Sequence, residues 1–363
     1  WGNFSYQPVL ARQGKKVTRE HRLILTMRGL LITNLQKYQV QKGLILHKEN
    51  KVTKVEKIRL TDTMNTELMD SLLYLERDIE SKTPPPITSN RKKCTICSWR
   101  KDCGAVANKE GNLSEVSGIG AKRELLLNKI GINNIDELSK INHYKLKKSL
   151  ERYGTQHSDI SKQIILQSKS QSENKAIKLK QGSALNNLRE AEGLLIYDIE
   201  SDPDIKHDFL HGFIRIPNKV SDKINLKKIK YSPLLNIEKD TESFLWKRIK
   251  KKLSHHKDLP ILHYGETESI SLLKLGLRQG ASSHEIDALK KRFIDIHLII
   301  REYWCLPVSN YGLKSIAEFI GFEWEKSNTD GARALLWWRQ WKKSRRVNNI
   351  YSKNLNSIFQ YNR

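Results

Sequence analysis

Two carboxylates occupy positions from which they could bind a metal ion together. Asp198 and Glu200 follow the apolar run Leu194–Tyr197 at i and i+2, so both side chains point to one face of a strand. Neighbouring carboxylates repel each other and are costly to bury unless a cation lies between them. Such hard oxygen ligands suit Mg²⁺ or Mn²⁺. The alternative is a solvated strand end that binds nothing.

The charge distribution supports the metal-binding interpretation. The chain carries 65 Lys and Arg against 40 Asp and Glu, a formal net charge of +25, yet segments 190–205 and 258–273 contain no Lys or Arg. The second segment includes Glu268, which begins a helical stretch after a strand and a turn and could reach the same sheet end. A third carboxylate there would complete much of a two-metal site for phosphodiester hydrolysis. The alternatives are a Glu favoured by the helix dipole, and Glu266 in its place.

The elements that must position these side chains form an α/β domain. Alternating and apolar runs predict strands at 194–197, 209–217 and 260–264, and helices at 241–253, 268–278 and 283–304. Earlier segments predict a strand at 4–10, helices at 18–36 and 65–80, short glycine-separated helices, and a polar linker at 167–183. The aromatic residues Trp337, Trp338 and Trp341 have helical spacing, which favours core packing over base stacking.

Composition restricts the class of protein. With 38% hydrophobic residues the chain can build several cores, and no apolar run is long enough to cross a membrane. Four cysteines are too few for a disulfide-stapled secreted protein, which predicts a cytoplasmic one. The positive charge is spread along the chain and favours a polyanionic partner such as nucleic acid. The chain begins with Trp1 and not Met, which predicts a fragment of a longer protein.

Three cysteines are crowded into one segment, C-x2-C-x5-C. We call Cys94, Cys97 and Cys103 the cysteine cluster. Thiolates at this spacing are typical of a bound metal or iron–sulfur cluster. The alternative is a fortuitous group of free thiols.

A glycine-rich turn predicts a helix-hairpin-helix. Gly118-Ile119-Gly120 is followed by Ala121 and then by Lys122 and Arg123. The glycines permit positive φ, and the N–H groups at the start of the next helix can bind a phosphate, with the two basic side chains adding charge. Binding of this kind is independent of sequence. A tight turn without a ligand is the alternative.

Several short motifs over residues 191–363 resemble, in order, those of the ribonuclease-H-like exonuclease domain of the DEDD (DnaQ-like) group. They are Tyr197-Asp198-Ile199-Glu200, His263-Tyr264-Gly265 leading to Glu268, Asn310-Tyr311-Gly312-Leu313-Lys314-Ser315, and Tyr361-Asn362. The closest resemblance is to bacterial RecB-like nucleases that carry a RecB-type domain ahead of such an exonuclease domain.

The resemblance implies roles for individual residues. Asp198 and Glu200 would form the first metal motif, Glu268 would fill the second, and Tyr361 would be the tyrosine of a tyrosine-x-x-x-aspartate third motif. The final Asp of that motif would lie just past Arg363, so we expect the domain to be truncated at its C-terminus and weakened in catalysis. For Asp295, which follows the second motif, a structural role is the alternative to a catalytic one.

The first part of the chain resembles the C-terminal part of a RecB-like domain. Its cysteine cluster is similar to the triplet that holds a [4Fe-4S] cluster in that family, which implies such a cluster here. Zn²⁺, with a residue such as His47 as a further ligand, is the alternative. The register places Leu10 where the family has a metal-binding Glu, so we expect this domain to hold DNA, not to cut it.

The sequence thus predicts a multidomain α/β protein. Its parts are a partial RecB-like, restriction-endonuclease-type domain in 1–110, a small all-α helix-hairpin-helix module with a linker in 111–185, and a ribonuclease-H-like exonuclease domain in 190–363. The predicted function is metal-dependent hydrolysis of DNA or RNA, with DNA preferred and a 3′-to-5′ direction, in partnership with a helicase and without a membrane. The alternatives are an inert nucleic-acid clamp and a redox sensor at the cysteine cluster.

Overall fold

The computed structural model describes residues 4–12, 17–49, 52–88, 94, 97–183, 185, 188, 190–217, 229–237, 241–324, 330–344 and 351–363. The chain divides into two compact units, Trp1–Ile87 and Thr88–Arg363. Among the described residues, no helix is both long enough and apolar enough to span a membrane.

The first unit packs a three-stranded sheet against helices. Its elements are β1 (Val9–Ala11), α1 (Arg19–Gln36), β2 (Lys42–Glu49), β3 (Val52–Arg59) and α2 (Asp62–Glu80). β1 pairs in parallel with β2, which pairs antiparallel with β3. Leu10, Leu25, Ile45 and Ile58 form the buried core. Both predicted helices are confirmed, with α2 beginning at Asp62; β2 and β3 were not predicted.

A helical module begins the second unit. Its helices are α3 (Arg100–Lys109), α4 (Ala121–Lys129), α5 (Ile135–Lys140), α6 (His143–Glu151), α7 (Thr155–Ser158) and α8 (Ser161–Ser172). They enclose one core of Leu, Ile and Val side chains that runs from Leu113 to Ile164. Asn134 and Asn142 cap the starts of α5 and α6 by accepting backbone hydrogen bonds. The prediction of short helices separated by glycines is confirmed.

The rest of the second unit is built on a five-stranded mixed sheet. Its strands are β5 (Gly193–Asp202), β6 (His207–Pro217), β7 (Tyr231–Leu235), β8 (Ile261–His263) and β9 (Phe293–Asp295), in the order β7-β6-β5-β8-β9. β6 is antiparallel to both of its neighbours, and β5, β8 and β9 are parallel. The associated helices are α9 (Glu242–Ser254), α10 (Thr267–Arg278), α11 (Ser283–Arg292), α12 (Ile296–Tyr303), α13 (Leu313–Phe319), α14 (Gly331–Ser344) and α15 (Tyr351–Asn362).

Two cores hold this sheet. Leu195, Tyr197 and Ile199 on β5 pack with apolar side chains of α9 and α10. Phe209 and Leu210 on β6 pack with a second group from α14 and α15 that includes Trp338, Trp341 and Ile358. The ring of Trp338 is fully buried and stacks on Phe209 at 4.5 Å between centroids. Core packing of Trp338 and Trp341 is therefore confirmed.

The prediction of one helix over 283–304 is wrong. The chain leaves α11 at Arg292, forms β9, and enters α12 only at Ile296. Phe293 and Ile294 complete the edge of the parallel sheet by pairing with Ile261 and Leu262. Periodicity cannot distinguish a short buried strand from a turn of helix, and here the ladder hydrogen bonds decide.

The prediction of a linker starting at Gln167 is also wrong. α8 continues to Ser172, and Gln167 is buried against a short strand, β10 (Trp304–Cys305), and the residues that follow it. Its amide donates to the carbonyl oxygens of Leu306 (2.7 Å) and Val308 (3.1 Å) and accepts from the hydroxyl of Tyr311 (2.9 Å). β10 also pairs with β4 (Ile177–Lys178). Polar side chains that satisfy buried backbone groups thus join the helical module to the sheet domain.

Candidate active site

Asp198 and Glu200 lie where alternation along β5 predicts, on one face near the end of the strand. The amide of Asn362, at the end of α15, donates to Asp198 Oδ2 at 2.7 Å and to Glu200 Oε1 at 3.4 Å. The hydroxyl of Tyr231 donates to Asn362 Oδ1 at 2.7 Å. A polarised amide therefore lies against both carboxylates.

The position of Asn362 depends on a glycine. Gly212 on β6 lies directly opposite Asp198 in the ladder. A Cβ at Gly212 would overlap the amide oxygen of Asn362 and lie 2.8 Å from the hydroxyl of Tyr231. Only glycine leaves room for this arrangement.

The carboxylates favour protonation unless a cation compensates them. Burial raises the pKa of Asp198 to about 6. Burial, followed by repulsion from Asp198, raises the pKa of Glu200 to about 8, against the opposing effect of the Asn362 amide. Burial also raises the pKa of Glu268 to about 7, with smaller contributions from Asp198 and Asp295. The three groups are thus near enough to repel one another.

Glu268 occupies the first turn of α10, directly after β8. Its side chain is largely buried, and its Oε2 has no hydrogen-bond partner. Glu266 is exposed at the helix start, which favours Glu268 over its competitor. The nearby Asp295 caps α12 and also accepts from the N–H of Gly265 at 3.0 Å. These contacts give Asp295 a structural role.

Asp202 and Asp204, near the end of segment 190–205, are paired with a cationic side chain. Arg339 on α14 donates from Nε and Nη2 to both carboxylate oxygens of Asp202, at 2.9 and 2.6 Å, and from Nη2 to Asp204 at 2.6 Å. Asp202 is buried, and hydrogen bonding to Arg339 lowers its pKa. Asp202 therefore has a cationic partner, whereas among the described residues the side chains of Asp198 and Glu200 share the amide of Asn362.

Tyr361 lies beside the carboxylates. Burial raises its pKa, and the nearest charges that add to this effect are Glu200 and Asp198. The ammonium group of Lys314, in the first turn of α13, lies 6.0 Å from the ring centroid of Tyr361. The motif around Tyr311 thus brings one cation near this end of the sheet.

The donor chemistry fits a hard divalent cation, although the ligands are not gathered into a finished site. No group of three or more His, Cys, Asp or Glu among the described residues is arranged to hold a metal ion. Two observations favour a cation nonetheless: Oε2 of Glu268 has no hydrogen-bond partner and lies 3.9 Å from Nδ1 of His263, and an amide N–H group lies against Asp198 and Glu200. Asp198, Glu200 and Glu268 are the residues that would hold it.

The glycine hairpin has the backbone geometry expected. Gly118 has φ +96°, Gly120 precedes α4, and a Cβ at Gly120 would meet no atom within 4 Å. Lys122 is exposed, whereas Ile119 is buried in the module core. The N–H of Ile119 donates to the carbonyl oxygen of Val116 at 2.9 Å, so an approaching anion would be met by the exposed Gly120 and the start of α4 and not by Ile119.

Arg123 does not extend into solvent as the sequence suggested. Its guanidinium donates to the carbonyl oxygens of Gly118 and Gln156, the latter at 3.2 Å. Burial lowers its pKa. Arg123 therefore ties the hairpin to a second glycine turn at Gly154, where φ is +114°. In the sequence, Gly154 marked only a boundary between helices, and nothing indicated that Arg123 would contact this turn.

The cysteine cluster spans the start of α3. The N–H of Cys97 donates to the carbonyl oxygen of Cys94 at 3.2 Å, and Cys103 lies in the first turn of the helix. Cys97 is exposed, the other two are half-buried, and all are free thiols. Residues 95 and 96, between them, lie outside the described part of the chain.

Asn362 and Tyr231 were not predicted as site residues. An amide and a phenol carry no charge signal, and the contacts span 164 residues between Asn362 and Asp198 and 131 residues between Tyr231 and Asn362. Tyr361-Asn362 was noted only for its tyrosine. The sequence could have pointed to Asn362 only through its position next to Tyr361, a predicted site residue.

Residues 195–363 match the family model RNase_H_2 of the RNase_H superfamily. The match begins on β5 and includes Asp198, Glu200, Glu268 and Tyr361. Comparisons with curated proteins and with solved structures found no match. The C-terminal part is therefore a ribonuclease-H-like domain with a nuclease-type fold, and the predicted multidomain α/β fold class is confirmed.

Proposed function

We propose that the chain is a metal-dependent nuclease that hydrolyses phosphodiester bonds at Asp198, Glu200 and Glu268. The observation that carries this proposal is that three carboxylates are buried near one another, with Asp198 and Glu200 sharing the amide of Asn362, and that burial raises the pKa of each. A structural role would favour pairing each with a cationic side chain, as Arg339 pairs with Asp202. Carboxylates left in this state favour a divalent ion.

Different residues would bind the metal ion, orient the phosphate and hold the nucleic-acid backbone. Asp198, Glu200 and Glu268 would hold Mg²⁺ or Mn²⁺, which when bound supplies Lewis acidity and lowers the pKa of water. Tyr361 lies at the edge of the carboxylates and would orient the attacked phosphate. The direction is 3′ to 5′, and DNA is the preferred substrate. The hairpin at Gly118, with Lys122, would hold the phosphate backbone at a fixed distance from the cut.

The test pairs metal binding with cleavage. We expect Mn²⁺ to raise the Tm of the chain and to support shortening of a 5′-labelled single-stranded oligonucleotide from its 3′ end. Asp198→Asn should abolish the Tm shift and slow cleavage about 100-fold or more, because several kcal/mol of charge stabilisation are lost. Asp287→Asn is the matched control, since Asp287 is exposed on α11.

The outcomes separate the alternatives. Cleavage by Asp198→Asn at the rate of the unmodified chain would show that the catalytic site lies elsewhere. Binding of the oligonucleotide with neither cleavage nor a Mn²⁺ shift would favour an inert clamp that serves a partner helicase.

The cysteine cluster is proposed as the site of a second cofactor, a [4Fe-4S] cluster or, failing that, Zn²⁺. Support comes from three free thiols, in a turn and the first turn of a helix, that could act as ligands. Anaerobically purified protein should show an iron–sulfur absorption band that Cys97→Ser removes, with Cys305→Ser as the control. Metal analysis that finds neither iron nor zinc would contradict the assignment.

A further inference from the structure

The carboxylate site continues into a cluster of aromatic and basic side chains on the neighbouring segment. Lys314 lies over the ring of Trp324, at 5.6 Å from its centroid, as well as over that of Tyr361. Trp324 in turn meets Phe322 edge to face at 5.1 Å between centroids. We call Lys314, Phe322, Trp324 and Tyr361 the aromatic platform.

The platform is directly connected to the carboxylates. Tyr361 precedes Asn362, whose amide binds Asp198 and Glu200, and the charges of both acids act on the Tyr361 hydroxyl. Lys314 thus lies over the ring of a residue whose hydroxyl is within electrostatic reach of both acids.

The platform also has surface available for a ligand. Phe322 is 48% exposed and lies edge to face with Trp324, so the two rings form a joint apolar surface. Lys314 and Trp324 are half-buried, so each keeps part of its surface open. Alternating aromatic rings and a cation are the features that proteins use to bind single strands, since bases stack on rings and phosphates pair with cations.

We propose that the aromatic platform binds the terminal nucleotides of a single-stranded nucleic acid, with bases on Phe322 and Trp324 and a phosphate on Lys314. This inference rests on the proposed nuclease function and names its substrate class. Stacking requires unpaired bases, so a blunt duplex could not use the platform.

Binding in EDTA tests the platform separately from cleavage. The probe is a fluorescent oligothymidylate, and its affinity is measured across a salt series. Lys314→Gln should weaken binding three- to tenfold and reduce the slope of log K against log salt by about 0.7, the value for one phosphate contact on a single strand. Trp324→Leu should weaken binding roughly tenfold without changing the slope, because stacking is not ionic.

Matched controls exclude general effects. Lys290→Gln removes the same charge from an exposed position on α11 and should bind like the unmodified chain. Lys314→Arg keeps the cation over the rings and should restore binding. Thermal unfolding of each variant shows whether the fold is retained.

Two results would overturn the inference: unchanged oligothymidylate affinity in Lys314→Gln and Trp324→Leu, or an equal loss for a blunt duplex of the same length. The proposed function fails on different evidence, because Asp198→Asn should bind the oligonucleotide in EDTA at least as well as the unmodified chain. Loss of binding in both platform variants would thus support the platform even if cleavage were found to occur elsewhere.

Discussion

At the scale of single residues, the candidate site combines groups whose pKa values are displaced in opposite directions. The carboxylates have raised pKa values, whereas the pKa of His211 on β6 is lowered. The His211 side chain is buried and forms a hydrogen bond of 2.8 Å with the hydroxyl of Tyr197. Burial lowers the pKa of His211 to about 4, and its Nε2 has no hydrogen-bond partner. The His211 imidazole is therefore neutral in the folded domain at neutral pH, because a charged imidazole could not be solvated at this buried position.

The lowered pKa of His211 gives it a contribution to stability that is lost in acid. Unfolded imidazole takes up a proton near pH 6.5, whereas folded His211 does so only near 4, so the unfolded state binds more protons in between. We expect the free energy of unfolding in EDTA to fall for the unmodified chain relative to His211→Gln as the pH decreases from 7 to 4, by on the order of 2 to 3 kcal/mol.

The measurement is denaturant unfolding across this pH range for the unmodified chain and for His211→Gln. His207 acts in the same direction and the carboxylates act in the opposite one, so only the difference between the two proteins reports on His211. Parallel pH profiles would contradict the prediction.

At the scale of elements, hydrogen bonds between α8 and the segment after β10 connect the helical module to the sheet domain within the second unit. We call these contacts the join. Gln167 supplies its centre, and Ser170 and Gln171 add hydrogen bonds to the carbonyl oxygens of Cys305 and Val308. Tyr311 extends the join, because its carbonyl oxygen accepts from Tyr264, the residue after β8. The hairpin helices and the strand that precedes Glu268 are thereby linked.

Gln167→Leu should destabilise the second unit by about 2 kcal/mol or more, since the buried carbonyl of Leu306 and the hydroxyl of Tyr311 lose their partner. The control is Gln163→Leu, which changes an exposed residue of the same helix. Thermal unfolding followed by circular dichroism measures the difference. Equal Tm values for the two variants would mean that the join contributes little.

Particular elements show what could be predicted from the sequence. Strand alternation placed Asp198 and Glu200 on one face, and the strand, turn and helix pattern placed Glu268 near them. β9 was concealed because Phe293 and Ile294 fit a helical period as well as a strand. Gln167 was assigned to a linker because its partners lie about 140 residues away in sequence.

At the scale of the whole molecule, the net charge of +25 is a property of the surface and not of the site. The described acidic side chains that are buried either meet a cationic partner, as Asp202 does, or lie in the carboxylate site and the module core. A basic surface with a local acidic site attracts nucleic acid generally and cations locally. The prediction of a nucleic-acid partner is consistent with the ribonuclease-H-like domain.

The salt dependence of DNA binding tests whether the basic surface, and the hairpin in particular, binds the phosphate backbone. Affinity for duplex DNA should fall steeply with added salt, and Lys122→Gln should reduce the slope of log K against log salt by about 0.9, the value for one phosphate contact on a duplex. The control is Lys129→Gln, at the other end of α4. Equal slopes for the two variants would remove the hairpin from the binding surface.

The amide of Asn362 makes metal binding an exchange and not a simple addition. Its N–H group already lies against Asp198 and Glu200, and Tyr231 holds its oxygen in place. An ion that enters between the two acids must displace this internal competitor. We therefore expect an entering ion to break the hydrogen bonds from Asn362 to the two acids and to shift the end of α15.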